Sequence, residues 1–253
     1  MRTLLDHPFV LLLVSFAFLW LATHTGAVLQ AWRGPLDEVR RGDFDIVLGA
    51  TLTLLSLIVG FSFSMAASRY DQRKSYEEDE ANAIGTAYAR ADLLSSADAV
   101  KVHQLLREYT NLRIRFYTTV DPQQLRDLNS VTGRTQNQLW GEVAAAASAA
   151  PTPVSALAAA AMNDAINSQG YAQAAAWNRI PLGAWLLLYV LGAVATAIIG
   201  HRFHIEVRQH LLMLVIPAIV AIAFFLIADI DCPSYGLIRI APENLTALAT
   251  SLR

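Results

Sequence analysis

Four apolar stretches divide the chain, and each is long enough to cross a lipid bilayer. They are Pro8–Trp32, Ile46–Ser68, Pro181–Gly200 and Leu211–Ala228. A helix crosses the bilayer core with about 20 apolar residues, and a single central charge would cost about 2.5–3.5 kcal/mol. None of the four stretches contains Asp, Glu, Lys or Arg. The pattern therefore predicts four transmembrane helices.

The first stretch has a second interpretation. Arg2 precedes the apolar run, and Thr25-Gly26-Ala27 resembles a cleavage site, as in a secretory signal peptide. The apolar run is longer than the core of a typical signal peptide, which favours a membrane span.

Small and polar residues form a stripe along one side of the second span, and the stripe continues beyond it. At helical spacing these positions share one narrow face: Gly49, Thr53, Ser56, Gly60, Ser64, Ala67, Asp71, Lys74, Glu78, Asn82 and Gly85. A stripe that stays polar from lipid depth into water is not expected to face lipid. It predicts either a water-filled pathway or a second helix packed closely through small residues. In the third span, Gly192, Thr196 and Gly200 recur every fourth residue and indicate similar close packing.

The insert between the second and third spans, Arg69–Arg179, has a helical pattern. Apolar residues recur at helical spacing after Ser95 and Ser96, either of which offers an N-cap. Asp121-Pro122 ends that helix and begins the next, because Asp is a good cap and Pro suits the first helical position. Prolines at 151 and 153 break the alanine-rich part. The sequence predicts an all-α fold, with four transmembrane helices and a cytoplasmic helical bundle inserted between the second and third spans.

An even number of spans places both termini and the insert on the same side of the membrane. Positive residues near the membrane ends lean towards that side, which predicts that it is cytoplasmic. The predicted domains are the first two spans (1–68), the cytoplasmic bundle (69–179), the last two spans (180–230) and a C-terminal tail (231–253).

The composition excludes several functional classes. The mean hydropathy is +0.38 and only 16% of residues are charged, which fits a membrane protein. The formal net charge of −2 offers no basic footprint for nucleic acid. The single cysteine, Cys232, excludes an intramolecular disulfide and a cysteine-based metal cluster. Because no phosphate loop, HExxH motif or nucleophile elbow is present, the sequence predicts neither an enzyme nor a cofactor.

Two groups of carboxylates are candidates for ion binding. Asp229 and Asp231 follow the fourth span, where helix carbonyls disfavour a carboxylate by roughly 0.3–1 kcal/mol unless something compensates. Structural hydrogen bonds, a solvated turn or a candidate cation site with oxygen ligands would each account for them. The acidic run Glu77–Glu80 is typical of a solvated face. Around a symmetry axis, Glu78 would form an acidic ring, with Lys74 opposing it one turn away.

Four segments of the chain carry a family resemblance. They read FSFSMAASRYDQR, EANAIGTAYARADLL, NRIP and DIDCPSYGLIRI, at Phe61–Arg73, Glu80–Leu94, Asn178–Pro181 and Asp229–Ile240. In this order and spacing they resemble the bestrophin-like family of bacterial four-span membrane proteins, which is catalogued as a domain of unknown function. A more distant resemblance, to bestrophin anion channels, rests on the Gly60-Phe61 step and on the acidic residues before Pro233.

The resemblance implies an ion channel in the bacterial inner membrane, conducting small anions through an oligomeric pore. A pentamer is expected, with the second span lining the pore on the symmetry axis, and with lipid and small ions as the other partners. The implied pore neck is Thr53, Leu57 and Phe61. The remaining pore face would comprise Gly49, Ser56, Gly60, Ser64, Lys74 and Glu78.

The chain also departs from the bestrophin pattern. Arg69-Tyr70-Asp71 stands where bestrophins have an arginine and paired tryptophans, and their calcium clasp has more carboxylates than Asp229 and Asp231 provide. Calcium gating is therefore not expected, and ion selectivity is not inherited from the resemblance. The competing function is a non-conducting membrane scaffold or sensor whose cytoplasmic helices bind a partner.

Overall fold

The computed structural model describes residues 7–33, 38–202, 210–233 and 235–252. These residues contain helices and connecting turns but no strand, which confirms the predicted all-α fold. In chain order, the helices within this described part are α1 (Pro8–Arg33), α2 (Glu38–Ala91), α3 (Ser96–Thr118), α4 (Pro122–Ala149), α5 (Pro153–Trp177), α6 (Leu182–Arg202), α7 (His210–Asp231) and α8 (Glu243–Ser251).

The predicted spans lie in α1, the first part of α2, α6 and α7. In the described part of the chain, four stretches are long and apolar enough to cross a membrane, so the chain is a multi-pass membrane protein. Helix α2 is 54 residues long and continues from the second span into the insert without a break. At 1.5 Å per residue it is about 80 Å long. No proline interrupts it, which is why its hydrogen-bond ladder can persist.

Side-chain caps and prolines define the boundaries of the later helices. Ser95 begins α3, because its hydroxyl accepts a backbone N–H three residues ahead at 3.3 Å. Asp121 caps α4 in the same way at 2.8 Å, and Pro122 occupies the start of the helix. Thr152 and Ser155 form a capping box at the start of α5. The predicted caps and the predicted break near residue 151 are confirmed.

The chain divides into two compact units. We call the first, Met1–Ser68 with Arg179–Arg239, the membrane unit, and the second, Arg69–Asn178 with Ile240–Arg253, the helical unit. In the membrane unit, α1 packs against α6 and α7, which also contact each other. In the helical unit, α4 packs between α3 and α5, and α8 packs on α3. The domain boundaries drawn from the sequence stay predictions.

The helical unit has its own apolar core, to which every one of its helices contributes. The largest fully buried apolar side chains in it are Ile84 from α2, Leu106 and Tyr109 from α3, Leu139 from α4, Met162 from α5 and Leu245 from α8. Full burial of one such side chain stabilises a fold by about 1.5–3 kcal/mol. The second half of α2 is therefore held by its own packing within this unit.

Two glycines allow α1 and α6 to cross at backbone contact. A Cβ atom placed on Gly200 would lie 1.8 Å from the carbonyl oxygen of Thr23, and one on Gly26 would lie 2.0 Å from that of Ala197. No carbon atom fits at such distances, so both positions require glycine. The prediction that Gly200 marks close helix packing is confirmed.

Replacing Gly200 by alanine is expected to destabilise the membrane unit. The new methyl group meets backbone, which cannot rotate away, so the two helices must separate, at a cost of about 1–3 kcal/mol or more. The measurement is thermal unfolding of the purified protein in detergent. Gly183→Ala is the matched control, because it lies in the same helix with open space around the added Cβ. Equal unfolding temperatures for the two variants would contradict the close crossing.

Candidate pore-lining face

Helix α2 has a buried side and an exposed side within the membrane unit. Only 11% of the residues in its most apolar 18-residue stretch are buried, against 44% in the corresponding stretch of α7. The buried positions Leu55, Ser62 and Ala66 recur at helical spacing and share one face. Most other described positions of the span are exposed or partly exposed in the single chain.

The predicted neck residues lie on the exposed side. Thr53, Leu57 and Phe61 are spaced four apart, so their side chains stack along one side of the helix. Leu57 is 50% exposed and Phe61 is 61% exposed. Thr53 is exposed as well. None of the three belongs to the protomer's own core.

Most of the predicted polar stripe is also exposed, whereas its members Ala67 and Gly85 are partly buried. Gly49, Ser56, Gly60 and Ser64 are exposed within the span. Apart from chain neighbours and the adjacent backbone of the same helix, no atom of the described residues lies within 4 Å of a Cβ built on either glycine. The Ser56 hydroxyl donates to the Thr53 carbonyl at 2.9 Å, and the Thr53 hydroxyl donates to the Gly49 carbonyl at 2.8 Å.

These two hydroxyls satisfy their hydrogen bonding within their own helix. Because their hydrogens are already bonded, these hydroxyls can lie against water or against another helix. The stripe is therefore compatible with both interpretations that its pattern allowed. Further along α2, Lys74 and Glu78 are exposed as well, with opposite charges one turn apart.

The acidic run on α2 is divided between two environments. Glu78 and Asp79 are exposed, as a solvated face requires, whereas Glu77 and Glu80 are 1% and 0% exposed. The expectation of a solvated face therefore fails for Glu77 and Glu80. Both face the interior of the helical unit because they lie on the same helical side as Ile84.

Glu80 forms a buried ion pair with Arg113 of α3. The guanidinium Nε donates to Glu80 Oε1, and Nη2 lies 3.4 Å from Oε2. The Tyr117 hydroxyl donates to Oε2 at 3.2 Å, and the Phe116 ring lies 4.3 Å from the guanidinium carbon. Both charged side chains are fully buried. A buried charge is tolerated only when it is paired in this way, so each partner depends on the other.

This environment raises the pKa of the neighbouring tyrosines. Burial, followed by the Glu80 charge, holds the pKa of Tyr109 and of Tyr117 well above the usual range. Burial lowers the pKa of Arg113, but the charge and hydrogen bonding of Glu80, together with Tyr109 and Tyr117, leave that pKa above its usual value. Both tyrosine hydroxyls therefore remain protonated and keep their capacity to donate hydrogen bonds.

Glu77 caps a helix that has no cap of its own. Helix α8 begins after Pro242 without a side-chain hydrogen bond from its N-cap position. Glu77 supplies it from α2, accepting the Leu245 N–H at 2.9 Å and the Asn244 amide at 2.7 Å. At the other end, Arg107 Nε donates to the carbonyl of residue 252. A negative charge at the N-terminus and a positive charge at the C-terminus both stabilise a short helix through its dipole.

The two carboxylates after the fourth span accept backbone hydrogen bonds. Asp229 Oδ1 accepts from the Leu237 N–H at 2.7 Å and Oδ2 from the Ile238 N–H at 3.0 Å. Asp231 Oδ2 accepts from the Ile180 N–H at 3.1 Å, and Arg179 donates to the Asp231 carbonyl at 3.0 Å. These bonds join the end of α7 to its following turn and to the start of the third span.

This arrangement compensates the unfavourable position of the carboxylates at a helix C-terminus. No group of three or more His, Cys, Asp or Glu side chains that could hold a metal occurs in the described part of the chain. The cation site suggested for Asp229 and Asp231 stays a prediction.

Comparison with known proteins agrees with this architecture. The family model described as the Bestrophin-like domain matches residues 10–245. No curated protein matches the chain. Among solved structures, a bacterial bestrophin homologue from Klebsiella pneumoniae with a tryptophan-to-alanine substitution is 16% identical, with a TM-score of 0.62 over 95% of this chain and 93% of the other. An aspartate-to-alanine variant from the same organism is 12% identical, with a TM-score of 0.65 over 96% and 97%.

At these identities the structural likeness establishes the fold alone, whereas the family model covers nearly the whole chain. The confirmed spans, the match over residues 10–245 and the shared fold agree. This chain is a member of the bestrophin-like family.

Proposed function

We propose that the chain forms an ion channel, a symmetric homo-oligomer whose pore is lined by α2. The exposed side of α2 carries the proposal. Only 11% of the residues in its most apolar 18-residue stretch are buried, and Thr53, Leu57 and Phe61 lie on the exposed side. Membership of the bestrophin-like family and the bestrophin fold support an ion-channel kind of function. A ring of copies around this side would bring the three side chains to a common axis.

In such a ring, Leu57 and Phe61 form an apolar constriction, which closes by losing its water rather than by plugging.

We propose small anions as the conducted ions, as the resemblance to bestrophins suggests. Lys74 and Glu78 put both signs of charge on the pore face, so electrostatics there favours neither sign. The test is single-channel recording from purified protein in planar bilayers under a salt gradient. A reversal potential at the chloride equilibrium value is the expected result, and one at the cation value would contradict anion conduction.

The purified protein is expected to be a closed ring, with five subunits. A lone subunit would expose the polar stripe of α2 to lipid, and a closed ring with α2 around its axis removes that exposure. Native mass spectrometry in mild detergent measures the subunit number directly. Monomers alone under these conditions would contradict the assembly.

Both termini and the insert are proposed to face the cytoplasm, with the spans in the bacterial inner membrane. The residue for the test is Ser95, which is exposed at the start of α3. A cysteine introduced there after Cys232→Ser is expected to resist an impermeant thiol reagent added outside intact cells and to react after lysis. Labelling in intact cells would reverse the orientation.

A non-conducting scaffold or sensor is the second candidate. The internal hydrogen bonding of Thr53 and Ser56 is compatible with it, because the stripe could then pack against another helix without water. An oligomer that assembles but stays silent in bilayers under all tested ion gradients would support this candidate over a channel.

A further inference from the structure

Among the described residues, an apolar groove that is open in the single chain runs along α1 and α6 in the membrane unit. Two adjoining cavities form it, of about 410 Å³ and 400 Å³, and both are lined by Thr25 and Ala197. The walls of the groove are almost entirely apolar, and Phe18, Leu21 and Leu29 are between 44% and 55% exposed. Each cavity has the size of an ordinary small-molecule site.

The groove has the length of one membrane leaflet. Its lining residues on α1 run from Phe18 to Leu29. At 1.5 Å per residue, that distance is about 17 Å, close to half of the roughly 30 Å hydrocarbon core. An extended single hydrocarbon chain therefore matches the groove in both polarity and length.

One polar side chain distinguishes the end of the groove near the C-terminus of α6. His201 lines the cavity but is only 6% exposed, and the Phe44 ring lies 5.0 Å from its ring. Its Nδ1 lies 3.3 Å from the Gly26 carbonyl oxygen, which can only accept a hydrogen bond. Nδ1 therefore carries the hydrogen in the neutral ring, and Nε2 is left as an acceptor.

Thr25 and Arg202, two other polar residues near this end in the described part of the chain, already have partners. The Thr25 hydroxyl donates to the Ala22 carbonyl at 2.8 Å within its own helix. Arg202 is paired with Asp45 and adds no uncompensated charge. The ligand that complements the groove therefore has an apolar chain and one terminal group with a proton for Nε2.

We propose that this groove binds a free long-chain fatty acid, whose carboxyl group donates its proton in a hydrogen bond to His201 Nε2. The proton is shared between the carboxyl oxygen and the imidazole, so no further charge is needed. A phospholipid fits less well, since a phosphodiester anion has no proton to donate and carries two chains. The proposal concerns the membrane unit only and does not depend on conduction, so a silent protein that binds fatty acid would leave it standing.

The test is competition for a fluorescent long-chain fatty acid bound to the intact purified oligomer. Oleic acid is expected to displace the probe, while methyl oleate, which has the same chain but no acidic proton, is expected to compete about tenfold more weakly. Equal competition by the acid and the ester would overturn the proposal. Failure of the probe to bind would also overturn the proposal, and it is the result expected if a second copy or a phospholipid covers the groove.

Two pairs of variants locate the site. His201→Leu is expected to abolish the preference for acid over ester, while His24→Leu, an exposed histidine on α1 outside both cavities, is expected to retain it. Ala193→Phe fills the groove and should abolish binding, whereas Val190→Phe, on the exposed side of α6 outside the cavities, should not. Unchanged binding by folded Ala193→Phe would place the ligand elsewhere. Should His201→Leu fail to fold, the acid and ester comparison on the wild type still decides.

Discussion

In planar bilayers, the double variant Leu57→Ala/Phe61→Ala is expected to carry a larger single-channel current than the wild type. Both side chains are at least half exposed in the single chain, so truncating them leaves no cavity in the protomer's core. The change in protomer stability is expected to be within about 0.5 kcal/mol. Where these side chains ring the pore axis, their removal widens and wets the apolar constriction, which raises the conductance.

The competing interpretation is that Leu57 and Phe61 pack against a neighbouring helix. Truncating such a pair leaves a cavity that costs about 2–5 kcal/mol, with loss of folded oligomer and no gain in current. Phe63→Ala is the control, because it removes an aromatic ring of similar exposure from a different side of the same span. An intact double variant with wild-type current would show the neck assignment to be wrong. The absence of current from both the wild type and the double variant would favour the non-conducting scaffold or sensor.

Replacing Glu80 alone by leucine is expected to destabilise the protein by about 3–5 kcal/mol, because it leaves Arg113 buried without a counter-charge. For a chain of this size, such a loss lowers Tm by roughly 10 °C. Both charged side chains are fully buried, so solvent cannot compensate. Thermal unfolding in detergent, followed by circular dichroism, measures the effect. Glu78→Leu, an exposed neighbour on the same helix, is the control and should change little.

Replacing Arg113, the partner of Glu80, as well tests whether the loss of stability comes from the unpaired charge. The double variant Glu80→Leu/Arg113→Met replaces the whole ion pair with apolar side chains and is expected to recover most of the lost stability. Recovery would show that the cost of the single variant comes from the uncompensated charge. A double variant as unstable as Glu80→Leu would instead assign the effect to lost packing and to the lost Tyr117 hydrogen bond.

The spans and helix ends were predictable because their causes are local. An apolar run of about 20 residues has few alternatives to a membrane helix. The caps at Ser95 and Asp121 work through backbone groups only two or three residues away. The glycine spacing in α6 likewise indicated a close crossing, although the partner, α1, could not be deduced from it.

Glu77 and Glu80 were missed because a run of four acidic residues is usually solvated. The signal that could have revealed them is periodicity, since both lie on the helical side that carries Ile84, Ala87 and Ala91 into the core. Their partners, Arg113 and the start of α8, are distant in sequence and come together only through tertiary packing.

The candidate pore face was found by pattern, but its environment depends on neighbouring copies. The hydroxyl groups of Thr53 and Ser56 bond to their own helix, so one chain imposes no choice between water and a packed helix. That choice depends on the geometry of assembly, which no single span encodes.

The crossing of α1 and α6 limits how this chain can evolve. Every amino acid other than glycine carries a Cβ atom, so each missense change at Gly26 or Gly200 brings an atom into collision with a backbone carbonyl. No single substitution at either position is expected to be neutral, whereas at Gly183 open space admits a side chain. In a saturation library selected for folded protein, Gly26 and Gly200 should therefore be depleted of all substitutions, the smallest included. The surface of the same helix should drift freely, which is one way in which a fold can persist while sequence identity falls to 12–16%.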